Sequence, residues 1–91
     1  MSHRIPHRLG WTIVPPQGDE PVAAYLLAMP DGDPQALRGT AALIWTLAAE
    51  GETDVAASLA DLLEVGVDDV RADVDAYLDT LVEQRLLERA P

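Results

Sequence analysis

The chain has no cysteine among its 91 residues. That excludes disulfides, thiolate nucleophiles and cysteine-based zinc or iron–sulfur sites. Lysine is missing too, so all six basic side chains are arginine, set against 16 Asp and Glu. No apolar run is long enough to cross a bilayer, and the N-terminus lacks the apolar stretch and small residues of a secretory signal. A cytoplasmic location without membrane association is the expectation. At this length one core is available, burying roughly 60–65% of the surface the unfolded chain exposes, and a deep active-site cleft is not expected.

What is present is acid, unevenly placed. Residues 1–38 carry Arg4, Arg8 and Arg38 against Asp19, Glu20, Asp31 and Asp33. Residues 39–91 hold twelve acidic side chains and only Arg71, Arg85 and Arg89. Acidic faces keep small helices apart in solution, and they can also draw in a basic partner.

Along the chain, Met1 to Gly10 is polar and reads as an irregular, weakly basic arm bearing His3, Arg4, His7 and Arg8. Trp11 to Val14 alternates like a strand, and Pro15 to Pro21 ends it. Val22 to Met29 predicts a second strand, the Pro30 to Pro34 segment a turn, and Gln35 to Arg38 a short third strand. From Gly39 the period changes. Thr40 can cap a helix over Ala41 to Glu50 that is apolar nearly all round, with Gly51 as its left-handed stop. A second helix starts at Thr53 or Asp54, places Val55, Ala56, Leu59, Leu62 and Leu63 on one stripe, and breaks at Gly66. A third begins at Asp68, with Val70, Val74, Tyr77, Leu78, Leu81 and Val82 on one face and acids opposite. Glu88 to Pro91 reads as frayed. The expected architecture is an α+β, winged helix-turn-helix-like domain over residues 11–88. Its three-stranded antiparallel sheet precedes three helices, with a flexible arm at 1–10 and a loose end at 89–91.

Chemistry is hard to find. His3 and His7 have a ligand-like spacing, but Pro6 between them opposes a helix and no acid precedes Asp19, so neither a metal site nor a cofactor is expected. Ser2 and Ser58 lack a histidine at a recognisable motif spacing. General acid–base work calls for a carboxyl group that burial perturbs, and the carboxylate pairs lie on a solvated face. The glycines punctuate turns. Trp45 reads as core, Trp11 as either a sheet anchor or exposed, and Tyr77 as either core or the lining of a groove. Catalysis is not expected.

Binding is left. A three-stranded sheet has two edges with unpaired main-chain groups. Were the third strand one of them, an extended peptide could pair with Gln35 to Arg38 beside the third helix. The order of the strands, which decides this, is open at the level of sequence. A helical domain of this shape also suggests a DNA-binding regulator, but the acidic last helix opposes phosphate contact, so no nucleic acid is expected. A dimerisation or structural adaptor, with a possible homodimer, is the other alternative.

Several stretches resemble the PqqD-like family: Tyr25-Leu26-Leu27-Ala28-Met29-Pro30-Asp31-Gly32, the run Leu37-Arg38-Gly39-Thr40-Ala41-Ala42-Leu43-Ile44-Trp45, Gly66-Val67-Asp68-Asp69-Val70, and the closing Leu81…Leu86-Leu87. The likeness spans about residues 8–88, and its sharpest piece enters the first helix. The resemblance implies a non-catalytic, winged-helix-like recognition domain of a ribosomal peptide pathway. Such a domain binds the leader of a precursor peptide as a strand added to the third strand, against the third helix. It then presents the precursor to a modifying enzyme, such as a radical SAM enzyme in PQQ synthesis or a leader peptidase in lasso-peptide pathways. Carried onto this sequence, Gln35, Ala36, Leu37 and Arg38 would form one wall and Val70, Asp73, Val74 and Tyr77 the other. The family often has glycine before the terminal Leu-Leu pair, where this chain has Arg85. That difference predicts a longer last helix here.

Overall fold

A computed structural model describes residues 2–90; Met1 and Pro91 fall outside the described residues. Among the described residues, five strands and three helices run in the order β1 (Ser2–Arg4), β2 (Leu9–Val14), β3 (Ala23–Ala28), β4 (Gln35–Arg38), α1 (Thr40–Ala49), α2 (Val55–Leu63), α3 (Val67–Glu83) and β5 (Glu88–Ala90). The fold is α+β: a three-stranded antiparallel sheet of order β2-β3-β4, followed by the three helices. All three strands of this sheet fall where the alternation and the turn residues put them, to within two residues.

The register divides the sheet into two faces. Leu9, Trp11 and Ile13 share one with Ala24, Leu26, Ala28, Gln35 and Leu37, because paired residues point the same way. The helices pack there. Helix α1 is the hub, touching β1, β3, β4, α2 and α3. Its Trp45 is 1% exposed, donates its indole N–H to the Leu86 carbonyl at 2.9 Å, and lies 5.7 Å from the ring of Trp11. Trp45 is therefore core, and Trp11 extends that core outward while half its surface stays in water. The backbone spans 39 × 38 × 17 Å, the thickness of one helix layer on one sheet. The outer face leaves Tyr25 and Leu27 exposed.

The two ends correct the sequence reading. Residues expected to form an irregular arm and a frayed tail instead pair antiparallel, Ser2 with Ala90, His3 with Arg89 and Arg4 with Glu88. Arg4 Nε lies 2.9 Å from Glu88 Oε2, and Arg89 reaches Asp79 of α3 at 2.6 Å. Strands of three mostly polar residues carry no local periodicity, so only their meeting in space makes them strands.

All three helices close alike. The chain turns left-handed at Gly51, Glu64 and Arg85, with φ of 88°, 58° and 63°. The amide two residues past each last turn then returns to a carbonyl inside the helix: Glu52 to Leu47, Val65 to Ala60 and Leu86 to Leu81. Gly51 is the stop the sequence indicates. Gly66, read as the break of α2, is instead the residue preceding α3, and Glu64 makes the turn. Arg85 does the same for α3, which ends at Glu83, so the longer last helix is overturned. The capping bonds and the burial of Leu86 and Leu87 hold Arg85 in a conformation that glycine would adopt without strain.

Candidate functional site

The corner between β4 and α1 sets the geometry. Gly39 has φ 62° and ψ −130°, a backbone region essentially closed to other residues, and its N–H donates to the Val22 carbonyl at 2.8 Å. This bond fixes the phase of the β3–β4 ladder. Val22 and Gly39 are directly opposed, so by alternation Leu37 and Gln35 also turn their main-chain groups toward β3. Ala36 and Arg38 then turn theirs outward. On that side, among the described residues, β4 has no neighbouring strand. Thr40, expected to cap α1, is its first helical residue, with Gly39 in the capping position.

Just past β4 in the chain, the N-terminus of α1 and the facing sides of α2 and α3 enclose a concavity of about 370 Å³. Val70, Asp73, Val74 and Tyr77 project into it from α3, one or two turns apart on one face. Thr40, Ala41 and Ile44 contribute from α1, Leu59 and Leu63 from α2. Val74 is buried and Val70 and Tyr77 half-buried. Burial pushes the Tyr77 phenol above its ordinary value, so it is a neutral donor whose ring lines the hollow. The carboxylate of Asp54 caps α2 through the Ala57 N–H at 3.1 Å and takes both guanidinium nitrogens of Arg71 at 3.1 and 3.2 Å. Held by Arg71 and the amide, its pKa lies below the ordinary carboxylate value, and the pair fastens the start of α2 to α3.

The eight residues singled out from sequence separate into groups. The four on α3 share the concavity. Gln35 and Ala36 line another hollow, of about 530 Å³, with Trp11, Tyr25 and Leu27. Leu37 faces the core and is half-buried, while the Arg38 guanidinium stands 6.0 Å from the Tyr25 ring centroid on the outer face. β4 thus offers backbone more than side chains. Sequence reasoning set Leu62 and Leu63 on one stripe with Val55, Ala56 and Leu59 and missed Leu63 as a groove residue. Leu62 is 59% exposed and Leu63 40%, because the last turn of α2 extends past its cover. A stripe shows which residues share a face, not whether a neighbour reaches its end.

Among the described residues no helix is long and apolar enough to cross a membrane. No curated protein and no solved structure matches the chain. One family model does, that of Coenzyme PQQ synthesis protein D (PqqD), aligned from residue 21 to residue 87. That span takes in β3, β4, all three helices and the Leu86-Leu87 pair, most of the chain, and so the chain belongs to the PqqD family, whose members are non-catalytic accessory proteins of PQQ synthesis.

Proposed function

We propose that this protein captures the leader segment of a ribosomally made precursor peptide by strand addition and holds it for a modifying enzyme. The observation that carries the reading is the open side of β4, with outward groups at Ala36 and Arg38, two residues ahead of Thr40, which lines the apolar hollow of α3. A leader laid antiparallel or parallel to β4 would exchange main-chain hydrogen bonds there. Its alternate side chains would enter the space bordered by Val70, Val74 and Tyr77. Main-chain pairing supplies affinity, and the hollow selects apolar side chains of suitable size. Ordering the leader costs about 2–5 kcal/mol, which leaves micromolar binding, about −8 kcal/mol, as the expected strength.

The test is titration with a short precursor peptide sought among the neighbouring open reading frames. Ala36→Pro is the decisive variant. It deletes an N–H that points away from β3, so the internal ladder survives while the incoming strand loses a donor. Wild-type binding with at least tenfold weakening in Ala36→Pro supports strand addition. Equal binding by both would move the peptide elsewhere. Leu37→Asp, which sets a charge on the core-facing side of β4, should weaken binding further.

A further inference from the structure

A third hollow, of about 680 Å³ and larger than the two above, lies away from β4. It forms where the β1–β2 turn (Pro6, His7, Arg8), the exit of β3 at Met29, the end of α3 and the start of β5 converge. Strand β2 is the opposite edge of the sheet from β4. Val74 and Val82 of α3, which face the two hollows, stand about 12 Å apart along the helix axis. These are two separate surfaces.

The charge of this hollow runs against that of the chain. Arg8, Arg85 and Arg89, three of the six arginines, line it with His7, against one acid, Glu88. Glu88 is already held by Arg4, and Arg89 by Asp79. Among the described residues neither Arg8 nor Arg85 is in an ion pair, although the chain has 16 carboxylates. Beneath the rim the lining is apolar: Leu9, Ala28, Met29, Val82 and Leu87, with Met29 51% exposed. A long flexible thioether over such a floor adapts to more than one apolar shape. The left-handed turn at Arg85 sends Leu86 and Leu87 into the core and leaves the guanidinium at the rim.

We infer that this cleft docks an acidic segment of a partner protein, with carboxylates meeting Arg8 and Arg85 and an apolar side chain seated against Met29, Val82 and Leu87. Guanidinium forks match carboxylates bidentately, and unpaired arginines above an apolar floor suit a segment in which Glu or Asp neighbours Leu or Ile. The inference does not rest on precursor binding at β4. Together the two surfaces would let the protein hold one chain at each edge of its sheet.

The probe is a blocked synthetic peptide alternating Glu and Leu, beside its Gln counterpart and duplex DNA, titrated into the full chain and into Arg8→Gln and Arg85→Gly. Arg85→Gly keeps the left-handed turn, so it isolates the side chain from the fold. Expected is binding of the Glu peptide that weakens at least tenfold in each variant, weakens again with added salt, and persists in Ala36→Pro. Equal binding of the Glu and Gln peptides, or variants that bind like the wild type, would overturn the inference. So would preferential binding of DNA, which makes the cleft a phosphate site. Concentration-dependent dimerisation abolished by Arg85→Gly would also overturn it, since the occupant would then be the acidic α3 of a second copy.

Discussion

Strands β2 and β4 are both edges of one three-stranded sheet, yet they border different chemistry. Where the chain leaves β4 for α1, the concavity is apolar with a single acid, Asp73; at the start of β2, the rim is arginine over an apolar floor. An edge offers the same donors and acceptors wherever it occurs. The elements next to it decide what it can hold. Helix α3 borders both regions and changes character along its length, with Val70, Val74 and Tyr77 facing one hollow and Val82 the other. Net charge of −10 therefore says little about either surface, because three of the few arginines gather at one end.

The largest effect should come from removing what the two regions share. Trp45 sits under Trp11 and bonds Leu86, so Trp45→Ala opens a cavity and leaves a buried carbonyl without its donor. A loss of about 3–5 kcal/mol is expected, a large part of the stability of a domain this small. Denaturant titration measures it. Both surfaces should fail together, and survival of either would mean they are built independently. Next comes Ala36→Pro, at least tenfold on precursor affinity by calorimetry, with acidic-peptide binding unchanged. Loss of both would mean that the edges are coupled.

Much of the β4 region is legible in sequence because its signals are local. Pro34 and Gly39 bracket the strand, and the spacing of Val70, Val74 and Tyr77 places them on one face of a helix. Strand order is not local, and only the structure makes β4 an edge. The β2 region is nearly invisible to such reading. Arg8, Arg85 and Arg89 lie at opposite ends of the chain, and β1 and β5 meet across almost its whole length without any hydrophobic pattern to announce them. Arg85 itself hides a helix stop, since a left-handed turn is signalled by glycine and here the residue is arginine.

That turn gives a sharper, smaller test. Arg85→Gly relieves a left-handed backbone and should raise stability by about 1 kcal/mol or less, offset in part by the greater freedom of glycine in the unfolded chain. Thermal melting reads it. Glu64→Gly at the end of α2 meets the same geometry and should behave alike for folding. Only Arg85→Gly should alter acidic-peptide binding. If Glu64→Gly alters it too, helix ends and not the guanidinium govern the cleft.

The smallest effect concerns pH and belongs to the paired ends. His3 lies in β1, with its Nδ1 buried and no hydrogen-bond partner among the described residues. Burial holds its pKa below the ordinary 6.5; Arg89 lowers it further, while Asp79 acts the other way. Between the folded and unfolded values the unfolded chain binds more protons, so stability rises with pH there and is lost as pH falls from about 6.5 toward the folded value. Asp54 has the same sign in a lower window: its contribution is present above 3.8 and lost as pH falls through its depressed folded value. The two separate in a denaturation series from pH 7 to 3. His3→Gln should flatten only the upper part of the curve, because no imidazole remains to protonate. An unchanged upper slope in that variant would place the titrating group elsewhere and detach the β1–β5 pair from the acid response.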